Sequence, residues 1–180
     1  ANLTGFARLV EGSPTCRSLQ TVRAVESPVV PRGFQASAIK AGIKPSGNLD
    51  FVILASDLPC SAAGTFTTNR VAAAPVQWDR RLVPSETIRG IVINAGNANA
   101  ATGAQGLANT EATAKWVAAR LGCPAEAILV ASTGAIGQQL PMTKVEHGVE
   151  KAVEELSHSE ASFRAASEAI LTTDTHPKVV

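Results

Sequence analysis

Apolar residues in this chain come in short runs, each stopped by Gly, Pro, Asn or Ser. The longest are runs such as Phe51 to Ala55 and Ile91 to Ile93, far below the roughly 18 to 20 residues a membrane helix needs. No transmembrane segment is expected, and the punctuation predicts strands and short helices in layers. Pro31-Arg32-Gly33 and Lys44-Pro45-Ser46-Gly47-Asn48 are turn clusters. Between them Phe34, Ala36 and Ala38 alternate with Gln35 and Ser37, which predicts a strand over 34–43. Asp50 to Ser56 holds Phe51, Val52, Ile53 and Leu54 in succession, the pattern of a strand covered on both faces. The β-branched run Thr65-Phe66-Thr67-Thr68 predicts a third strand. Arg89 to Asn94 is a fourth, and the stretch Asn94 to Asn99 is too rich in Asn and Gly to prolong a sheet. A buried strand is thus expected to deliver a polar loop.

The second half reads as helical. Asn109 is a candidate cap for a helix that carries Trp116, Val117 and Leu121 inward and stops at Gly122, with Pro124 beyond. A short strand, Ile128-Leu129-Val130, then runs into Ser132-Thr133-Gly134. Thr143 to Glu146 has the spacing of a capping box, and Val145, Val149, Val153 and Leu156 follow at helical intervals. Ser159 or Glu160 starts a last helix whose Phe163, Ala166 and Ile170 share a face, ending at Thr172-Thr173-Asp174. Strands first and helices later predict an α+β or layered α/β fold.

Charge and aromatic content narrow the function. With 16 Lys and Arg against 15 Asp and Glu the net charge is +1, so nucleic acid and anionic membranes lose their usual electrostatic footprint. Rings for base stacking are scarce, and there is no Tyr. Cys16, Cys60 and Cys123 lie far apart with three His in the whole chain, which fits neither a disulfide framework nor a zinc site. Each is expected to be a small, partly buried hydrophobe. Residues 1–27 spread Arg8, Arg17 and Arg23 among Ser and Thr, either as the tail of a transit peptide or as a surface lead-in; residues 28–180 form the domain.

Three segments have the residue types for chemistry. Val130 to Gly137 brings hydroxyls and backbone N–H groups together, and Gly134 lacks the side chain that would keep a ligand away. Such a segment can hold a phosphate or a developing oxyanion, where one donor is worth roughly 3 kcal/mol of transition-state stabilisation; it can equally be a structural turn. Asn94 to Gly103 can line a polar pocket or form a tight loop with left-handed residues. Thr172-Thr173-Asp174 can bind the charged groups of an amino acid or be a plain helix exit. Neither Gly-x-Gly-x-x-Gly nor a P-loop occurs. His158 and His176 have no Ser or Cys partner at recognisable spacing, and His147 is expected to face solvent.

Read in order, Pro31-Arg32-Gly33-Phe34, Ala41-Gly42-Ile43-Lys44 with Ser46-Gly47, Phe66 to Asn69, Ala73 to Val76, Ile93 to Ala100, Ala131 to Gly134 with Ile136-Gly137 and Leu140-Pro141-Met142, and Thr172-Thr173-Asp174 form a series. That series, from about Pro28 to the last residue, closely resembles the N-terminal part of the ornithine acetyltransferase family, the bifunctional glutamate N-acetyltransferases of arginine biosynthesis. The resemblance implies a layered α/β fold with sheets sandwiched between helices. It also implies a precursor that cuts itself before a Thr, this chain being α-chain material and the new N-terminal Thr of the β chain the nucleophile. The implied reaction is ping-pong transfer of acetyl from N-acetylornithine to glutamate. The implied assembly is α₂β₂, with no metal or organic cofactor and with acetyl-CoA as a further donor if the member is bifunctional.

Carried over residue by residue, the family's oxyanion hole falls on Thr133 and Gly134, and its substrate-contacting Thr on Thr172. Asn97 and its neighbours carry no assigned role and are expected to be scaffold. Two features depart from the family. Its Lys-Gly segment and cleavage-site Thr are expected shortly after Thr172-Thr173-Asp174, and Lys178 does not match that Lys. Ala101 stands where many members have Cys. The implied compartment is the cytoplasm for a bacterial member and a mitochondrion or plastid for a eukaryotic one. A self-processing aminopeptidase of related fold, or a non-catalytic scaffold, is the alternative.

Overall fold

A hairpin of strands followed by a strand–helix–strand unit sets the architecture. In a computed structural model, which describes residues 30–173, β1 (Phe34–Ile39) pairs antiparallel with β2 (Phe51–Ala62), and β2 pairs antiparallel with β3 (Ser85–Asn97). β3 then runs parallel to β4 (Ile128–Ala135), so the sheet order is β1-β2-β3-β4. A parallel neighbour needs a crossover, and α2 (Gly103–Leu121) supplies it. The remaining helices are α1 (Ala74–Asp79), α3 (Met142–Glu154) and α4 (Glu160–Ala169).

Strand alternation sorts the core into two layers. Ile39, Phe51, Ile53, Val92, Ile128 and Val130 face one side and pack with Trp78 of α1, Val117 of α2, and Val145 and Val149 of α3. Ala36 and Val52 face the other side, where Ala166 and Ala169 of α4 cover them. The sheet therefore lies between helices, a mixed α/β fold of the expected class. Small residues on both sides of the α4 contact let helix and sheet approach closely.

Several local expectations hold for the physical reason given. Gly122 ends α2 in the left-handed conformation (φ 66°). Ser159 caps α4, its hydroxyl accepting from the Ser162 N–H. His147 is exposed. Cys60 and Cys123 are half-buried, the Cys60 thiol donates to the Ile88 carbonyl, and burial pushes the Cys123 thiol up. Cys16, His176, Asp174 and residues 1–27 lie outside the described residues.

Others are corrected. Residues 65–68 form no strand: the segment finds no partner strand, and Arg80, which follows the last residue of the unforeseen α1, holds it by donating to the Thr67 carbonyl and stacking on Phe66. β1 stops at Ile39 rather than Ile43 because Ala41, Ile43 and Lys44 turn their amides onto Asp50. Asn109 is no cap. It sits buried inside α2, which starts six residues earlier. Thr143 makes no capping box, since α3 begins at Met142 after Pro141. Ile170 is exposed and Ala169 takes the buried place on that face of α4.

The largest correction concerns the two expected loops. β3 continues to Asn97 and β4 to Ala135, paired Ala95 with Thr133, Gly96 with Gly134 and Asn97 with Ala135. Side-chain amides make this Asn-rich strand end stable. Asn94 donates to the Asn97 carbonyl (2.7 Å) and accepts from the Ser132 hydroxyl (2.6 Å). Asn97 donates to the carbonyls of Gln138 and Gln139, and Asn99 donates to the Gly106 carbonyl and to Thr110. Each amide meets its donors and acceptors inside the fold, so burial costs little. The left-handed expectation holds just beyond, at Asn99 (φ 44°).

Candidate active site

The topology gathers the chemistry at one end of the sheet. β1 and the parallel pair β3–β4 all point their C-terminal ends the same way, the end of an α/β sheet where ligands usually bind. The turn between β1 and β2 and the exit of α4 arrive at this end too. A cavity of about 940 Å³ opens there, lined by Lys44, Ser46, Gly96, Gly134, Glu168 and Thr172 among others. Gly134 and Thr172, 38 positions apart in the sequence, thus line one cavity. Thr133 is half-buried beside them and does not line the cavity.

Donor directions follow from the strand. The Trp78 indole N–H donates to the Ile128 carbonyl (3.0 Å), and the Val130 N–H donates to the Asp79 carboxylate (2.9 Å). These groups point outward, away from β3. The Ala135 carbonyl points the opposite way and accepts from the Ala98 N–H. Alternation therefore turns the amide of Thr133 toward β3 and the amide of Gly134 toward the outer edge. The two peptide hydrogens do not converge, contrary to the simplest reading of Ser-Thr-Gly. What Gly134 presents outward is its N–H. What Thr133 has left is its hydroxyl, which bonds to no described residue.

Close approach explains the glycines. A Cβ on Gly134, at φ +132°, would lie within 2.3 Å of the Gly96 backbone. One on Gly96, at φ +108°, would press on Ile43 and Lys44. Backbone segments from three parts of the chain stack here with no room for side chains. α1 covers the outer edge of β4 as far as Val130; Gly134, further along that edge, is exposed. Burial raises the Asp79 carboxyl to about 6, and the Val130 N–H opposes that rise.

Among the described residues no His lines this cavity. His158 Nδ1 lies 2.9 Å from the Phe34 carbonyl, where β1 begins. Among the described residues no His, Cys, Asp and Glu group with metal-ligand geometry, and no helix is long and apolar enough to cross a membrane. Sequence reasoning missed Lys44 and Asp50 as parts of the site. Their signal was present: a lone Asp opening an apolar strand, with a Gly-containing turn before it.

Residues 35–180 match the ArgJ family. The chain belongs to that family. The arginine biosynthesis bifunctional protein ArgJ of Thermotoga neapolitana is 47% identical over 152 residues, 83% of this chain and 37% of that protein. The mitochondrial ArgJ of Heterostelium pallidum is 44% identical over 83% of this chain and 34% of its own length. This chain thus spans a little over a third of the ArgJ proteins it matches. A crystal structure of ornithine acetyltransferase from Mycobacterium tuberculosis, complexed with ornithine, superposes with a TM-score of 0.83 at 41% identity. The match covers 87% of this chain and 85% of that one. The ArgJ structure from Bacillus halodurans gives a TM-score of 0.79 at 31% identity, covering 86% and 81%. Both solved chains are therefore close to this one in length, whereas the full ArgJ relatives are more than twice as long.

Proposed function

We propose that this chain is the α portion of an ArgJ acetyltransferase that moves acetyl from N-acetyl-L-ornithine to L-glutamate, completed by a β portion from the same precursor. The observation that carries the reading is the cavity at the C-terminal ends of β3 and β4 that Gly134 and Thr172 both line. The match to solved chains of this length beside much longer relatives supports a divided precursor.

The chemistry runs as two acyl transfers. The Thr that opens the β portion attacks the acetyl carbonyl, and its own α-amine, with an ordinary pKa near 8, takes the hydroxyl proton. Negative charge collects on the carbonyl oxygen, where the Gly134 N–H and the Thr133 hydroxyl donate. The C–N bond breaks, ornithine leaves with the proton, and the acetyl ester remains on Thr. The amine of glutamate then attacks that ester through the same oxyanion and regenerates the hydroxyl. Thr172 holds the amino-acid substrate by its hydroxyl. Acetyl-CoA can load the same Thr, whose hydroxyl attacks the thioester carbonyl so that the C–S bond breaks and CoA leaves as its thiol, which makes the protein bifunctional. No metal or organic cofactor takes part, and the assembly is α₂β₂.

Full-length protein carrying Thr133→Val tests this. Valine keeps the β-branched shape and removes the hydroxyl, so acetyl transfer from N-acetylornithine to glutamate should fall roughly 100-fold or more. Transfer at the parent rate would favour a scaffold role for the segment. A parent protein that cleaves peptides and transfers no acetyl would establish the aminopeptidase reading instead.

A further inference from the structure

The cavity wall that includes Thr172 follows directly on α4, and something must fix where that helix ends. Lys44, from the turn between β1 and β2, reaches it. Its Nζ donates to the carbonyl of Ala169, the last residue of α4, at 2.8 Å, and to the Leu49 carbonyl at 2.8 Å. A cation on the last carbonyls of a helix is favoured by the helix dipole and satisfies acceptors that have no partner within the helix. Three residues later comes Thr172.

The turn that carries Lys44 is itself clamped. Asp50 is fully buried, and its carboxylate accepts from the N–H groups of Ala41 (2.7 Å), Ile43 (2.5 Å) and Lys44 (2.8 Å). Lys144 of α3 donates to the Gly42 carbonyl (2.6 Å). On its other side the turn lies against Gly96, which lies against Gly134. Burial lowers the Lys44 pKa, and the Asp50 charge works against that fall. A side chain with four flexible bonds is thus held at its root by a buried carboxylate and at its tip by two carbonyls.

We propose that Lys44 is a positioning residue of the active site: by tying the β1–β2 turn to the exit of α4 it sets Thr172 at the cavity wall. Part of this rests on the acetyltransferase reading above. It adds to that reading a residue that acts through Thr172 rather than by touching substrate.

The test uses full-length protein with Lys44→Met and Lys44→Arg, read by amide hydrogen exchange and by steady-state kinetics with N-acetylornithine. In Lys44→Met, exchange at Ile170 and Leu171, whose amides bond to the Ala166 and Glu168 carbonyls at the exit of α4, should quicken at least about tenfold while the sheet amides keep their protection. KM should rise about tenfold with kcat within about threefold, as expected when ground state and transition state lose the same contact. Arginine, whose planar fork can still meet both carbonyls, should recover most of the KM. Unchanged exchange at Ile170 and Leu171, exchange quickened uniformly across β1 and β2, or equal losses in kcat and kcat/KM with no recovery in Lys44→Arg would each overturn the proposal. A parent protein that transfers no acetyl would sink the functional reading, and the exchange experiment would still decide whether Lys44 places Thr172.

Discussion

Gly134 shows how a single residue can look functional and be structural at once. Its N–H faces the outer edge, and its missing side chain admits the Gly96 backbone. Replacing it therefore says little about catalysis. Gly134→Ala would force a Cβ to within 2.3 Å of Gly96 at a backbone angle of φ +132°, and both the overlap and the strain oppose folding. The variant should lose about 3 kcal/mol or more in urea unfolding, and a variant as stable as the parent would show that β3 and β4 do not approach this closely. The hydroxyl of Thr133 is the cleaner probe, because valine leaves the strand geometry in place. From sequence, the need for glycine at position 134 was legible, but its main reason was not: the clash partner lies 38 residues away.

Among the elements, those whose signals are local were readable and those set by tertiary partners were not. The alternation in Phe34 to Ala38, the left-handed stop at Gly122 and the Ser159 cap depend on a few neighbouring residues. The extension of β3 through Asn94 to Asn97 depends on Ser132, Gln138 and Gln139, which no window on the strand contains. α1 escaped notice because six residues carry little periodicity, yet it protects the outer edge of β4 with Trp78 and Asp79. Its hold on that edge depends on pH. Burial raises the Asp79 carboxyl from 3.8 to about 6, so between those values the folded chain binds more proton than the unfolded one. The stabilisation from protonated Asp79 is then complete below about pH 4 and is lost as pH rises through 6. Asp79→Asn keeps an oxygen for the Val130 N–H and removes the buried charge. At pH 8 the variant should exceed the parent by on the order of 1 kcal/mol, allowing for screening at a partly open site, and the gain should vanish toward pH 4. A difference that stays constant across that range in denaturation curves would mean that Asp79 is not the titrating group.

At the scale of the whole molecule the two faces of the sheet are unequally covered. Three helices lie on the face of Phe51, Val92 and Val130, while on the other α4 lies over β1 and β2. Register places Leu54, Ile91 and Leu129 side by side on that second face, and all three are half-buried. The unbroken apolar run of Phe51 to Leu54 already implied two buried faces, which is why the layered class was legible; how much of each face this chain covers by itself could not be, because coverage depends on where α4 docks. The ArgJ relatives have well over half their length outside the matched region, and the proposed β portion is where further cover for Ile91 and Leu129 would come from. If so, this chain made alone should enhance the fluorescence of an apolar dye such as ANS, and the enhancement should fall severalfold when the β portion is co-produced, since a contiguous exposed apolar patch is what such dyes report. The substitutions Ile91→Thr and Leu129→Thr should reduce dye binding by the lone chain and weaken its association with the β portion in pull-down. Dye binding that is equally strong with and without the β portion would place the interface elsewhere, and the Gly134 edge, next to Thr133 on this same strand, would then need another route to the nucleophile.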